Sequence, residues 1–349
     1  GANAGYANFT YNSLSADGQG NSSANLFAFT SSVAPIYPLY VRDGQGNIMK
    51  NDAGITMYDY GDGMNAGLTR PLLPNANGLA DSRLNTDRSE GNAFNGTGFF
   101  DILFLKDFKF TFNVGVSLDE TRRTTVQNPY FGQFADENGI IGKYHTRDFS
   151  HNLQQILNYT KVIGKHNVNV MLGHEYYQRR QYLLYGSTAN MFSPDNDELA
   201  GAVIDKQSAT SYVITYNNEG YFGRAQYDYD GKYFFSASYR RDASSRFHPS
   251  HRWGNFWSVG AAWIVTKENF MSGTHGWLDM LKASIGSQGN DKIGDYRYVD
   301  TYRLASSNGE MSVAFLEKGN PNITWETNTN FNAGIEFGVL QNRISGSIE

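Results

Sequence analysis

The stretch from residue 220 to residue 263 alternates apolar and polar side chains through two consecutive hairpins. Every second residue from Tyr221 to Tyr229, and again from Tyr233 to Tyr239, is aromatic or small, and most residues between them are polar. Successive strand side chains point to opposite faces, so the stretch predicts a β-ribbon with one apolar and one polar face. A soluble β-sandwich would show the same alternation.

The tyrosines of this stretch favour a membrane barrel over a sandwich. Tyr227, Tyr229 and Tyr233 crowd the two strand ends beside the short turn 230–232. Transmembrane β-barrels place a girdle of aromatic side chains at this position, level with the lipid headgroups.

The connections between the expected strands alternate between short and long. Outer-membrane barrels have short periplasmic turns and longer extracellular loops, whereas a soluble barrel has no reason to sort its loops in this way. We expect the connector 265–280 to be partly helical. Short turns are expected at 106–107, 161–166, 230–232 and 340–342, and long loops at 12–93, 122–142, 187–211 and 288–322.

The fold class predicted from these patterns is all-β, an antiparallel transmembrane β-barrel. One hairpin, 96–105 and 108–121, alternates without interruption from Phe108 to Leu118, about twice the length of a soluble strand. About 11 strands are expected over residues 1–349, roughly half of the 22-stranded wall of a plugged transporter. An open half-wall would expose unpaired strand edges in lipid. We therefore expect a partial barrel domain whose missing strands come from the rest of a longer protein.

Composition excludes several other classes of protein. The net charge of −5 gives no basic stripe for nucleic acid, so no nucleic-acid partner is expected. The absence of Cys excludes a disulfide framework and a thiolate metal site. The sequence contains no apolar run of about 18 residues that would predict a transmembrane helix, but β-strands cross a membrane with only every second residue apolar.

Four linked motifs resemble the barrel of SusC/RagA-type TonB-dependent outer-membrane transporters. The resemblance is dense from Gly220 to Glu349 and thins upstream. Ala243 and Trp257 depart from the family pattern, where Gly and Pro are usual. The motifs are GYFGRAQYDYDGKYFFSASYRRDASSRF, RWGNFWSVGAAW, LKASIGSQGND and NPNITWETNTNFNAGIEFG.

This resemblance implies active import of an oligosaccharide or a peptide across the bacterial outer membrane. It also implies a SusD-like surface lipoprotein that caps the barrel, and energy from TonB–ExbB–ExbD acting through a plug domain, which we do not expect within residues 1–349. Neither catalysis nor a cofactor is implied. A passive porin or adhesin and an outer-membrane enzyme remain alternatives, and a soluble β-sandwich is a more distant one.

Two groups of residues are candidates for the path of a solute. Arg240, Arg241, Asp242, Arg246 and Trp253 lie where a polar-facing strand leaves the barrel. They would line the path or pair with the plug, or they would form an Arg–Asp network that holds the rim, since Arg pairs carboxylates bidentately. The loop aromatics Tyr58 and Tyr60 would stack on sugar rings or contact peptide side chains, with rim packing as the alternative.

The sequence contains no nucleophile elbow, phosphate-binding loop, HExxH motif or paired metal ligands. His248 and His251 share a loop and would be the pair to consider for a metal, but solvated loop histidines are the more common case. The segment 194–198, PDNDE, carries oxygen donors suited to Ca²⁺ without the twelve-residue loop that such sites use. We expect an exposed acidic loop there and no metal site.

Overall fold

The computed structural model describes residues 1–13, 26–132, 134–203, 208–271, 277–307, 310–339 and 343–349. Over these ranges the dominant element is one antiparallel sheet of eleven strands, each paired with its neighbours in chain order apart from a separate hairpin, β10–β11. The strands are β1 Ala2–Asn12, β2 Thr86–Phe104, β3 Phe108–Gln127, β4 Ile140–Ile163, β5 His166–Ala189, β6 Ser208–Tyr229, β7 Tyr233–Ser244, β8 Trp253–Ile264, β9 Leu278–Asn290, β10 Thr301–Ser307, β11 Glu310–Glu317, β12 Glu326–Val339 and β13 Ile344–Ile348.

Helices are few and short. The two α-helices of the described residues, α1 Leu26–Ser32 and α2 Gly78–Leu84, both lie in the connection between β1 and β2. The connector after β8 contains 3₁₀ turns at Val265–Lys267 and Asn269–Met271, which confirms its predicted partial helicity. Further 3₁₀ turns lie at Ala135–Glu137 and Leu199–Gly201. No helix in the described part of the chain has the length and apolar character needed to span a membrane.

The strand register places apolar side chains in continuous rows on one face of the sheet. One row crosses nine strands, from β2 to β9 and then β12, through directly paired residues that are all apolar or aromatic. None of its members is buried, and Phe331 is 69% exposed. The row consists of Phe104, Phe108, Tyr159, Val170, Ala225, Ala237, Val259, Ile285 and Phe331.

The opposite face carries matching polar rows. Because the side-chain period of a strand is two, the residue next to each apolar one points to the other face. One such row runs from β4 to β9 and β12 and consists of Thr160, Asn169, Gln226, Ser236, Gly260, Ser284 and Asn332. The predicted division into an apolar and a polar face is thus confirmed.

In the described part of the chain, the clusters of buried apolar residues lie at the long-loop end of the sheet and not along its faces. One cluster combines the ends of β3 and β4 with the connection after β5, and the other lies in the connection between β1 and β2. The first joins Val126 and Ile141 to Met191, and the second gathers Tyr58, Tyr60 and Ala80. An apolar sheet face that packs against no other protein layer requires an apolar solvent, so this architecture indicates a membrane wall.

Short and long connections alternate as predicted over most of the sheet, although several bounds differ. The exception is the connection 265–277 on the short-turn side, which is longer than the connection 245–252 on the opposite side. β2 begins at Thr86, inside the expected loop 12–93, and the hairpin β10–β11 lies inside the expected loop 288–322. The residues from Thr86 to Ala93 are polar at nearly every position, so they show no alternation from which a strand could be predicted. The expected turn 340–342 lies outside the described residues.

Two of the short turns adopt the left-handed geometry of tight hairpins. Asp230 and Gly231 have φ of 57° and 61°, the values of a type I′ turn, for which Asp-Gly is a preferred sequence. Leu105 and Lys106 also adopt positive φ, 49° and 59°, although neither is one of the Asn, Asp or Gly residues that favour this turn. The first hairpin turn is therefore centred one residue before the predicted Lys106-Asp107.

Candidate functional site

Arg240 is the centre of an ionic network on the polar face near the long-loop end of β7. Its Nε lies 2.8 Å from both carboxylate oxygens of Asp242, and its Nη1 and Nη2 lie 3.2 Å from Oε2 of Glu175 on β5. The guanidinium also lies 5.1 Å from the ring centroid of Phe222. This planar cation thus ties three strands together, which agrees with the predicted Arg–Asp network at the rim.

Arg246 ties a long loop to the top of the strands. It follows β7 in the connection 245–252, where its Nε lies 3.2 Å from Oδ1 of Asp295, and its guanidinium lies 4.6 Å from the ring centroid of Tyr216. The hydroxyls of Tyr216 and Ser244 each donate to Oδ2 of Asp291 at 2.7 Å. The connection after β9 is therefore fixed over the polar face through its carboxylates.

Three aromatic side chains close the same region. Trp325 lies between Phe247 and Phe256, with ring centroids 5.4 and 5.3 Å away. Its indole Nε1 donates to the Arg252 carbonyl at 2.8 Å, which satisfies the polar atom of this half-buried ring. Phe247 is fully buried. The connections 245–252 and 291–325 are thus packed against each other and against β8.

Two cavities on the polar face adjoin one another along β7, β8, β9 and β12. The outer one, about 580 Å³, is bordered by Arg240, Asp242, Phe256 and Trp325, and the inner one, about 670 Å³, reaches towards the short turns. They share four lining residues, so they form one continuous groove, which we call the polar track. The shared residues are Ser236, Gly260, Ser284 and Asn332.

The chemistry of the polar track is that of binding. Its side chains are small hydroxyls and amides that both donate and accept hydrogen bonds, with a cation–carboxylate pair and two aromatic rings at the outer end. Lys282 pairs with Glu336 at 3.0 Å near the inner end. The track can exchange hydrogen bonds with a polar solute, and the rings of Phe256 and Trp325 pack against each other at its outer end.

Arg241 and Trp253 lie on the other side of the sheet from Arg240 and Asp242. A shift of one residue along a strand reverses the face, and Arg241 shares its face with Tyr221 and Tyr239. Its guanidinium lies 5.0 Å from the Trp253 ring centroid. Of the predicted group, the structure therefore brings Arg240, Asp242 and Arg246 to the polar face, whereas Arg241 and Trp253 lie on the apolar face.

Tyr58 and Tyr60 lie inside the connection between β1 and β2. They are 7% and 2% exposed, so their rings present no free face for a sugar, and their placement matches the alternative of rim packing. The Tyr60 hydroxyl donates to Oδ1 of Asp81 on α2 at 2.8 Å. Burial raises the pKa of Asp81 to about 6 and also raises the pKa of Tyr60.

The segment considered for Ca²⁺ is held by basic side chains. Asp197 accepts from Arg88 at 3.0 Å, and Glu198 accepts from Lys143 at 2.9 Å, so these carboxylates already have cationic partners. His248 and His251 share a hydrogen-bonding partner, the Ser250 hydroxyl. Within the described ranges, no three His, Asp or Glu side chains gather at the spacing that a metal ion needs.

Several residues of the site are not evident from the sequence. Glu175, Phe256, Asp291 and Trp325 reach the site from four separate segments, and only the strand register shows that they converge. The sequence feature that indicates this site is the run of Ser, Asn and Gly at alternate positions of β7, β8, β9 and β12. Combined with the correct register, that run predicts the polar track.

Comparison with known proteins gives a consistent set of matches. The family model described as TonB dependent receptor-like, beta-barrel, matches residues 3–349. The TonB-dependent receptor SusC of Bacteroides thetaiotaomicron is 30% identical over 287 residues, which cover 78% of this chain and 28% of SusC. The TonB-dependent receptor P39 of Formosa agariphila is 31% identical over 202 residues, which cover 56% of this chain and 19% of P39.

Solved structures match over most of the described sheet. The RagAB peptide importer in the open-open state superimposes with a TM-score of 0.69 at 26% identity, and covers 87% of this chain and 32% of that one. A second RagAB structure, of the peptide transporter, gives a TM-score of 0.73 at 24% identity over 81% of this chain and 33% of that one. The chain thus spans about a third or less of each relative.

Proposed function

Because this chain belongs to the family of TonB-dependent receptor-like β-barrels, we propose that it forms part of the wall of an importer for an oligosaccharide or a peptide. Proteins of this family are located in the bacterial outer membrane, and the same location holds for this chain. Its apolar face is the surface that meets lipid, and its polar face surrounds the lumen. Since the chain spans 28% of SusC, transport is proposed for the whole protein.

The polar track is the observation that supports import of a polar solute. It runs along the luminal face from the Arg240 network towards the short turns, and small side chains at its four shared positions keep it open. Ser and Asn side chains at regular spacing replace the water that a sugar or a peptide loses on entry. The aromatic pair Phe256 and Trp325 marks its outer end.

The energy for transport and the capture of the solute are proposed to come from other parts of the assembly. We propose that a plug coupled to TonB–ExbB–ExbD drives release, and that a SusD-like surface lipoprotein covers the long-loop end. One surface supports the second proposal: β10 and β11 pair so that five apolar side chains share one exposed face. These are Tyr302, Leu304, Met311, Val313 and Phe315, which are 58–78% exposed.

Uptake of labelled oligosaccharides and peptides by cells that make the full-length protein tests the proposal. We expect accumulation of one of these substrate classes that stops when the proton-motive force is dissipated or TonB is deleted. The matched variants are Ser258→Phe, which narrows the luminal track, and Val259→Phe, its neighbour on the lipid face. Ser258→Phe is expected to lower uptake roughly tenfold, equivalent to about 1.4 kcal/mol, and Val259→Phe to leave it nearly unchanged.

The competing functions predict different results. A passive porin would carry current in planar bilayers and admit solute without energy, and an adhesin would transport nothing. If the chain were part of an outer-membrane enzyme, the purified protein would convert a substrate.

Co-purification tests the lipoprotein partner. The double substitution Leu304→Ser and Val313→Ser should release the lipoprotein, whereas Ala305→Ser and Ala314→Ser on the opposite face of the hairpin should retain it.

A further inference from the structure

A groove of about 890 Å³ lies on the lipid face, where β5, β6 and β7 meet. Its floor consists of Gly223, Ala225 and Ala237, and neighbouring rows of the same face carry larger side chains. A Cβ at Gly223 would lie 3.2 Å from Cδ2 of Leu172, so Gly keeps the floor low beside the Leu172 wall. Tyr239 forms the opposite wall.

Arg241 closes the end of this outer groove that is nearer the long loops. The side chain is exposed and stacks on Trp253, 36% exposed, with the guanidinium carbon 5.0 Å from the ring centroid. Among the described residues, Arg241 forms no ion pair. The nearby carboxylate on this face, Glu219, instead accepts from the Tyr221 hydroxyl at 2.8 Å and lies 3.2 Å from Nε2 of His174.

Arg241 lies at the height of the lipid headgroups of the outer leaflet. It lies eight positions beyond Tyr233, the aromatic residue at the short-turn end of β7, so the strand rises about 26 Å between them at about 3.3 Å per residue. At the tilt of about 40° that such barrels have, this rise is a height of roughly 20 Å in an apolar band of roughly 25 Å, and the long Arg241 side chain reaches over the remaining distance. Arg241 therefore stands at the level of headgroups, and the groove lies beneath it among acyl chains.

We propose that the outer groove binds one phosphorylated acyl-glycolipid of the outer leaflet. An acyl chain would lie over Gly223, Ala225 and Ala237, and the lipid phosphate would pair with the Arg241 guanidinium. Arg is suited to phosphate because its planar fork donates two parallel hydrogen bonds. The stack on Trp253 holds the guanidinium in place and leaves its edge free to donate. The complementarity of an unpaired cation above an apolar groove favours this occupant over a neutral lipid.

Native mass spectrometry of the full-length protein in detergent micelles tests the proposal with purified lipid A, enzymatically dephosphorylated lipid A and phosphatidylglycerol as probes. We expect one lipid A to be retained per chain, and roughly tenfold less of either other lipid, equivalent to about 1.4 kcal/mol. Arg241→Gln should remove the preference for the phosphorylated form. Ala237→Leu should fill the groove and lower retention of both forms of lipid A.

The controls separate this groove from the rest of the surface. Arg179→Gln makes the same charge change on the luminal face of β5, outside the groove, and Ala261→Leu adds the same bulk on the lipid face outside the groove. Both should retain lipid A as the unsubstituted protein does, and a heat-dependent gel shift confirms that each variant is folded. Equal retention by Arg241→Gln and the unsubstituted protein would overturn the proposal, as would equal losses in Arg179→Gln and Arg241→Gln. Tight retention of phosphatidylglycerol, or a lipid-free dimer that Ala237→Leu disrupts, would overturn the assignment of the occupant.

Discussion

Gly220 lies directly opposite Asp242 in the β6–β7 ladder, and the missing side chain at Gly220 provides the space that the Asp242 carboxylate occupies. A Cβ at this position would collide with Oδ1 of Asp242 and crowd the Arg240 guanidinium. The ionic network at the rim of the lumen thus depends on a residue that takes no part in its hydrogen bonds.

Replacing Gly220 with Ala should therefore displace Asp242 and destabilise the barrel. Overpacking of this kind costs about 1–3 kcal/mol. Gly115→Ala is the matched control, because a Cβ there would meet only Asn152 at an ordinary 3.9 Å. Guanidinium-induced unfolding of the full-length protein in micelles measures both variants, and equal midpoints would contradict the steric account.

Replacing Phe247 with Ala should loosen the long loops while the strands stay paired. Phe247 is fully buried against Trp325, and removal of a buried Phe costs about 3–5 kcal/mol. Since the contact joins two loops, we expect new protease cleavage within 245–252 without loss of the heat-dependent gel shift. Phe192→Ala should leave the cleavage pattern unchanged, because that ring is 91% exposed.

The connection between β1 and β2 should lose stability as the pH rises from about 4 to about 6. The folded pKa of Asp81, about 6, lies above its usual 3.8, so the folded loop binds the proton more tightly than the unfolded loop does. The resulting stabilisation is complete below pH 3.8 and disappears as the pH passes 6, a difference of about 3 kcal/mol. Hydrogen exchange of the amides of Val41 and Met57, corrected for intrinsic rates, follows this change.

Asp81→Asn provides the control for this pH dependence. The amide oxygen still accepts from Tyr60 and carries no charge to desolvate, so the variant should be the more stable protein at pH 8. Its exchange should no longer depend on pH between 4 and 6. A pH profile that persists in the variant would assign the effect to another group.

Substitutions at Leu105 and Lys106 should stabilise the turn between β2 and β3. Both residues adopt positive φ, which costs an L-residue roughly 1–2 kcal/mol relative to Gly or Asn. The double substitution Leu105→Asn and Lys106→Gly is expected to raise the free energy of unfolding by about 1 kcal/mol. The reverse change, Gly231→Ala in the Asp-Gly turn, should lower it by a similar amount, because φ there is 61°.

The sequence predicts the wall of the barrel well, because the wall follows a local rule. Alternation from Phe108 to Leu118 identifies both the strand and its lipid face, and the short turn 230–232 appears where Asp-Gly stands. The rule weakens above the membrane, where both faces of a strand meet water. For that reason the start of β2 at Thr86 and the hairpin β10–β11 are not predicted.

The candidate site is less predictable, because it depends on which residues face each other across strands. Arg240 and Arg241 are adjacent in sequence and differ in face, so a list of neighbouring polar residues combines luminal and lipid-facing groups. Glu175 lies 65 positions from Arg240 and meets it only through the β5–β6–β7 register. Likewise, nothing local distinguishes Tyr58 and Tyr60, which are buried, from aromatic residues at a loop surface.

The length of β4 and β5 has a consequence for how the cell surface is arranged. Each has 24 residues, whereas about 9–11 tilted residues suffice to cross the hydrocarbon layer. The additional residues extend the wall on the order of 30 Å beyond the membrane, where the strands stay hydrogen-bonded to each other and both faces meet water. Any molecule that approaches this wall from outside the cell therefore meets the extended strands before it reaches the bilayer.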